Sequence, residues 1–405
     1  MKLFSTLLLL IIAEGIFNTD VYSLNNSFGK FIDLLLNITI FGFGFFCFFK
    51  ISNENFAKVN YMIFIVISFL SMAMNQSNFI DFFEFILRYG KIYLIFFIGY
   101  NISHRFHIEQ FFRIITLINM INFITNTLWY YNIQIIPNKY LGTLDFATGI
   151  MSDALYQSFF SIIVLSFSLL YALKTSKYSK GLFLLNIISA IIQIYWSYSY
   201  HFYVVIFISF AASLILLQSF INSLKVIIPI IITALLISSL STSEFFTNSI
   251  TTLANTSPKI ASYNDTFSGE YQKSYQKIIG VGPGNGGSYI GIENKSLVAE
   301  NYFSIYDYFT DKLRRGSITT LPNTGITTLK SELGYLGLLN FILFLFFLIH
   351  RLKNKLFKSK NDILINLCIF LIIIFITENL FADYLQHSIF PILIFLLAGI
   401  AYGKK

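Results

Sequence analysis

Leu338-Leu339-Asn340-Phe341-Ile342-Leu343-Phe344-Leu345-Phe346-Phe347-Leu348-Ile349-His350, followed at once by Arg351-Leu352-Lys353-Asn354-Lys355-Leu356-Phe357-Lys358-Ser359-Lys360, decides the fold class of this chain. Extended back to residue 330, the apolar part reaches the length that a helix needs to cross a bilayer core about 30 Å thick, about 20 residues. The cations that follow, Arg351, Lys353, Lys355, Lys358 and Lys360, are what a cytoplasmic loop carries beside a span.

Working outward from this stretch, twelve such runs can be read, at about 3–17, 31–49, 60–74, 80–100, 111–131, 154–173, 181–199, 201–220, 225–240, 330–350, 362–379 and 385–402. Every second connection is basic. Those connections hold Lys50 and Lys58; Arg105 and Arg113; Lys174, Lys177 and Lys180; Lys225; the cluster after His350; and Lys404 with Lys405. The short loops of the opposite set carry only Lys30 and Lys139, so both termini are expected in the cytoplasm. The expected fold is all-α: a polytopic membrane protein of about 12 transmembrane helices with one large structured extracytoplasmic loop. Residues 1–240 hold spans one to nine, 241–330 the loop, and 331–405 spans ten to twelve.

Composition agrees, since 56% hydrophobic residues, 12% charged residues and 47 Phe fit a multi-span helical protein rather than a soluble domain. The formal net charge of +8 is mostly a topology signal, and nucleic acid is not an expected partner, because the excess sits in short loops beside spans. Cys47 and Cys368 lie in or near the cytoplasmic half of apolar spans, where no disulfide is expected. Lys2, the run Leu7 to Ile12 and the small residues near Ser23 also read as a cleaved signal peptide, whose removal leaves eleven spans in the same orientation. Five His, two remote Cys and no HxH, HExxH or CxxC give no ligand spacing, so neither a metal nor a cofactor is expected.

The loop of about 90 residues is too long to be a mere connection. It holds twelve aromatics, among them Tyr263, Tyr271, Tyr275, Tyr289, Tyr302, Tyr306 and Tyr308, and should fold against the membrane domain. In 268–279, Tyr271, Tyr275, Ile278 and Ile279 share one helical face while Glu270, Lys273 and Lys277 share the other. In 298–315, Val298, Tyr302, Ile305, Tyr306, Phe309 and Leu313 make an apolar stripe, with Asp307, Asp311, Arg314 and Arg315 near an end set by Gly316. Each helix is amphipathic enough to lie on the membrane surface. The arginine pair reads either as a helix terminus that complements the dipole and pairs with Asp at i−4, or as a phosphate site.

Charges within the spans are the other source of information, because a charged group near mid-bilayer costs roughly 2.5–3.5 kcal/mol on the insertion scale. Glu84, Arg88 and Lys91 recur at i, i+4 and i+7 with Asp81 close by, which puts two cations and two acids on one stripe. Asp153, His201, Glu378, Asp383 and His387 complete a population that leans toward the side of the large loop. Each has a plainer reading: Glu84 with Arg88 as an ion pair that locks helices, His201 among Tyr198, Tyr200 and Tyr203 as an aromatic belt, and Asp383 with His387 as a helix-end pair.

Gly280-Val281-Gly282-Pro283-Gly284-Asn285-Gly286-Gly287 contains a literal G-x-G-x-x-G at Gly282, Gly284 and Gly287. The strand, the βαβ unit and the distal acid of a dinucleotide site are missing around it. The turn reads minimally as a run of positive-φ positions, and functionally as a nest of N–H groups for a phosphate oxygen.

These residues carry a resemblance. An amphipathic segment running into Ile279-Gly280-Val281-Gly282-Pro283-Gly284-Asn285, then Asn323, then Leu329-Lys330-Ser331-Glu332-Leu333-Gly334-Tyr335-Leu336-Gly337-Leu338 leading into the next span, resembles the bacterial O-antigen ligase/polymerase superfamily. That family has a GxGxGN turn in its large periplasmic loop and an N…L…E-L-G-x-x-G lead-in to the following span. Twelve spans with the large loop between the ninth and tenth are also similar to it. Ligases of the family resemble one another in a His before the Asn, where this chain has Pro322. An Arg is also usual at the start of the amphipathic segment, here Glu270, and between the paired spans before the loop, here Ser199-Tyr200-His201. The departures favour a Wzy-type polymerase of O-antigen or capsule repeat units, with ligase the alternative.

The resemblance implies glycosyl transfer at the periplasmic face of the bacterial inner membrane. The donor is an oligosaccharide on undecaprenyl diphosphate and the acceptor a hydroxyl of another lipid-linked repeat unit, with membrane lipid, a chain-length regulator and a flippase of the same pathway as partners. Cations must hold the departing diphosphate; Arg314, Arg315, Arg88 and Lys91 are the candidates, with Lys273 and Lys277 behind them. Gly282, Gly284 and Asn323 follow as binding residues. A base is needed near the acceptor hydroxyl, for which Glu270, Asp307, Asp311 and His201 compete. A lipid-linked oligosaccharide flippase is a rival, but it should show two similar halves and cations through the whole depth. A proton-coupled transporter using Glu84, Asp383 and His387 as a relay has no need of the large insert.

Overall fold

The computed structural model describes residues 27–51, 55–130, 154–172, 180–197, 205–206, 209, 263–264, 266–269, 272–286, 288, 290–291, 324–358, 362–380, 385 and 389–404. Ten α-helices are named among them: α1 Ser27–Lys50, α2 Asn55–Asn75, α3 Phe79–Ile102, α4 Ile108–Tyr130, α5 Ala154–Ala172, α6 Lys180–Trp196, α7 Ser274–Ile279, α8 Gly325–Lys358, α9 Ile363–Glu378 and α10 Ile389–Gly403. No strand occurs among the described residues. Nine of the expected apolar runs are these helices, α7 being the exception. The runs at 3–17, 201–220 and 225–240, and the amphipathic segment 298–315, lie outside the described residues, apart from isolated positions.

Phe56–Asn75, Ile108–Leu128 and Gly325–Lys358 are long and apolar enough to cross a membrane, and Leu35–Lys50, Gln157–Leu169, Gly181–Trp196, Ile363–Glu378 and Pro391–Gly403 are shorter apolar helices. They mark the chain as a membrane protein. On α2, Val59, Met62, Ile63, Val66 and Phe69 stay exposed at helical spacing. On α8, Leu336, Leu339, Ile342, Leu343 and Phe346 do the same. Apolar stripes of this length on the outside of a bundle are what lipid, not water, solvates.

At the centre lie α3, α9 and α10. In α9, 12 of 16 residues are buried, so the helix is apolar on every side. Asp362 starts it by accepting from the Leu364 N–H at 2.9 Å. Helices α3 and α10 cross at glycines: a Cβ on Gly99 would lie 2.2 Å from the Leu396 oxygen, and one on Gly399 2.2 Å from the Phe96 oxygen. Small residues at a crossing let backbones meet where lipid offers no hydrophobic gain. Phe344 of α8 joins the layers, with its ring 4.5 Å from Tyr93 and 5.8 Å from Phe395.

At one end Lys355 Nζ donates to the Tyr402 carbonyl at 2.6 Å and to that of Lys404, Lys404 pairs with Asp362 at 3.5 Å, and Gly403 rests on Ser103. At the opposite end Ser77 meets Asn285 of the glycine-rich turn, and Ser71 of α2 meets the Glu332 carbonyl of α8.

Two elements differ from the sequence reading. Within the expected helix over 268–279, α7 starts only at Ser274, and ahead of it Gly269 adopts φ +60° with its carbonyl accepting from the Gln272 N–H at 3.0 Å. Lys273 is extended before α7, and its N–H donates to Gln276 Oε1 at 2.8 Å. Helix α8 starts before the expected 330 and is broken at Gly334, with φ 66° and ψ −166°.

Candidate functional site

The break at Gly334 shapes one end of the bundle. With a left-handed φ there, the α8 hydrogen-bond ladder cannot run straight through, and carbonyls just before it take partners from elsewhere. The Ser331 carbonyl accepts from the Val281 N–H at 2.9 Å. The Glu332 carbonyl accepts from the Gly282 N–H at 3.2 Å and from Ser71 Oγ at 2.9 Å. The backbones approach so closely that a Cβ on Gly280 would lie 2.0 Å from the Glu332 oxygen, and one on Gly334 2.2 Å from the Ile278 oxygen.

The Glu332 side chain, 0% exposed, completes the joint. Its Oε2 accepts from the Gly284 N–H at 2.9 Å and its Oε1 from the Ser288 N–H at 3.0 Å. Charge-assisted bonds of this kind are about twice as strong as neutral ones. The nest of N–H groups read from the sequence as a phosphate cradle is thus turned onto a carboxylate of the chain itself, because an acid fixed within reach supplies the negative charge that the nest attracts. The loop is also tied to α2: Asn75 Nδ2 donates to the Gly280 carbonyl at 3.0 Å, Gln276 Nε2 to Asn75 Oδ1 at 2.8 Å, and Asn285 Nδ2 to Ser77 Oγ at 2.8 Å.

The polar stripe of α3 begins under this joint. Gly284 sits over Asp81, where a Cβ would lie 2.7 Å from that of Asp81. One turn inward, Arg88 Nε and Nη2 both reach Glu84 Oε1, at 2.9 and 2.6 Å, with the side chains 30% and 35% exposed. The pair is made at i, i+4 within α3, as the ion-pair reading of the sequence has it. Lys91 is 1% exposed, about 15 Å along the axis from Asp81 at 1.5 Å per residue. The structure thereby brings Gly282 and Gly284 together with the outer end of the stripe that carries Arg88 and Lys91.

Lys330, one turn before the break, is 0% exposed. Its Nζ donates to the Thr266 carbonyl at 2.7 Å and to Gln272 Oε1 at 2.6 Å, and lies 4.9 Å from the Tyr335 ring centre. Lys277 donates to the Ser268 carbonyl at 3.2 Å, and Lys273 is exposed. Nearby, Tyr263 Oη donates to the Leu380 carbonyl at 2.9 Å and accepts from Thr324 Oγ1 at 3.2 Å. Burial pushes the Tyr263 phenol up, against the Thr324 bond, and keeps it a donor rather than a base. Glu378 is fully buried at the same end of α9. His201, Glu270, Asp307, Asp311, Arg314, Arg315 and Asn323, with Asp153, Asp383 and His387, lie outside the described residues.

Sequence reasoning gave Glu332 and Lys330 no role. The available signal was a charged residue at each of two neighbouring positions on the threshold of an apolar span, where neither is cheap to bury. Nor did it single out the amide cluster of α4, α5 and α6. Gln193 Nε2 donates to Asn119 Oδ1 at 2.8 Å, Gln193 Oε1 accepts from Asn122 and Gln157 at 2.9 Å each, and Asn119 Nδ2 reaches Ser189 Oγ at 2.7 Å. Compared with known proteins, the chain matches no family model and no curated sequence.

Proposed function

We propose that the chain polymerises undecaprenyl-diphosphate-linked oligosaccharide repeat units at the periplasmic face of the bacterial inner membrane, as an O-antigen or capsule polymerase of the Wzy type. In this reading it has about twelve spans, both termini in the cytoplasm, and residues 241–330 outside. One observation carries the proposal. The two segments behind the resemblance, the turn 280–285 and the lead-in 329–338, are distant in sequence and joined in space through the Glu332 carboxylate. The joint lies over Asp81, at the end of the α3 stripe that further along carries Arg88 and Lys91.

Transfer breaks the bond between the anomeric carbon of the donor glycan and a diphosphate oxygen, and forms a bond from that carbon to an acceptor hydroxyl. The hydroxyl proton passes to a base, and undecaprenyl diphosphate leaves with the bonding pair. Arg314, Arg315, Arg88 and Lys91 stabilise the charge that develops on the diphosphate, with Lys273 and Lys277 as secondary contacts. Glu270, Asp307, Asp311 and His201 are the candidate bases.

The test is the lipopolysaccharide or capsule ladder of a strain that lacks the protein. A single repeat unit on the core supports polymerase. Core without any repeat unit refutes it and points to a ligase or a flippase.

A further inference from the structure

Two cations converge on one point of the loop. A Cβ built on Gly269 would lie 3.1 Å from Gln272 Oε1, 3.2 Å from Lys277 Cε and 3.5 Å from Lys330 Nζ, so both lysine side chains pack against this glycine beside the Gln272 amide. Among the described residues neither ammonium has a carboxylate partner: Lys330 is held by a carbonyl, an amide oxygen and a ring, and Lys277 by a carbonyl. Like charges brought together away from water repel, and neutral oxygens offset only part of the cost of burying one of them. Thr266, whose carbonyl is bonded to Lys330, has its Oγ1 buried with no hydrogen-bond partner among the described residues. An idle hydroxyl donor and two converging ammonium groups form a set that lacks one thing, an oxyanion.

Depth narrows the class of ligand. Lys330 lies just before the Gly334 break, beyond which Tyr335 and Leu336 are exposed at the head of the apolar stripe of α8. A tyrosine at the end of an apolar stripe sits at the level of lipid headgroups, which places Lys330 where phosphate is concentrated.

We propose that Lys277, Lys330 and Thr266 Oγ1 form a phosphate-binding site at the outer membrane interface, taking the oxyanion of a lipid headgroup or of free phosphate. Lys277 is also a substrate contact in the polymerase reading, but this site rests on its own geometry and its test involves no polymer.

The experiment measures thermal unfolding of the detergent-solubilised full chain with inorganic phosphate, against chloride at equal ionic strength. It then counts lipids retained in native mass spectrometry after exchange into nanodiscs with and without phosphatidylglycerol. Phosphate should raise the midpoint of the wild type by a few degrees, or one phosphatidylglycerol should be retained where phosphate alone has no effect. The first result identifies free phosphate as sufficient and the second a lipid headgroup. In either arm Lys277→Gln and Thr266→Val, which leave the Lys330 ammonium in place, should lower apparent affinity about tenfold, and Lys330→Met should abolish it. If Lys330→Met does not fold, the other two variants decide. Absence of both responses in the wild type, or equal responses in the variants, overturns the proposal. So does a response that emerges only in Glu270→Gln, which would mean that an acid of the chain already fills the site.

Discussion

The Glu332 carboxylate is one of the ties between the glycine-rich turn and α8. Glu332 is wholly buried and satisfied by two backbone N–H groups, so Glu332→Gln turns an amide donor toward one of them and removes the charge from both. Hydrogen bonds to charged groups contribute roughly 1.5–3 kcal/mol, and the substitution should cost about that much. Thermal unfolding in detergent should show it, and limited proteolysis should cut within 263–323 faster than in the wild type while the apolar helices stay intact. Gly334→Ala is expected to be at least as damaging, because a non-glycine residue at φ 66° is strained and its Cβ would meet the Ile278 oxygen at 2.2 Å. If Gly334→Ala unfolds at the wild-type temperature, the break is not what joins loop and span. The glycine turn and the Glu-Leu-Gly run were both legible as motifs. Their mating was not, since nothing local in 280–288 reveals that its donors face an acid 44 to 48 positions further on. The same limit misdirected the nest toward a phosphate.

At the scale of elements, hydropathy located most of the helices well. Nine expected apolar runs appear as helices, α8 (Gly325–Lys358) running well past the expected 330–350 at both ends, because a stretch that must satisfy its own backbone in lipid has little choice but helix. The packing was less legible. Scattered Asn and Gln in α4, α5 and α6 look in sequence like mild dips in hydropathy, yet Asn119, Asn122, Gln157 and Gln193 are all 0% exposed and mutually bonded. Single interhelical bonds in membranes average about 0.6 kcal/mol. Gln193 serves several partners at once, and Gln193→Leu should therefore cost about 1–3 kcal/mol by leaving buried amides unsatisfied. Isosteric Gln193→Glu should be worse than Leu if the site is dry, since it buries a charge. Unfolding of both variants in the same detergent checks the order.

The Lys355, Asp362 and Lys404 contacts gather at one end of the bundle and the glycine joint at the other. The alternation of lysines and arginines along the sequence makes the first of these the cytoplasmic end, an expectation that labelling tests. Single cysteines in place of Asn255 and Asn294 should react with a membrane-impermeant thiol reagent in intact spheroplasts, and one in place of Asn354 should not. The reverse pattern contradicts the orientation and with it the periplasmic chemistry. The candidate bases and the arginine pair of the loop were proposed from helical spacing and from the resemblance, which is why their roles depend on activity measurements.

The most direct of these is reconstitution. The purified chain in nanodiscs, given undecaprenyl-diphosphate-linked repeat units and no lipid A-core, should convert them into a ladder of lipid-linked oligomers and release undecaprenyl diphosphate, with Arg314→Ala and Arg315→Ala together abolishing the ladder. Repeat units left at single length, but transferred intact once lipid A-core is added, would contradict polymerisation and make the protein a ligase.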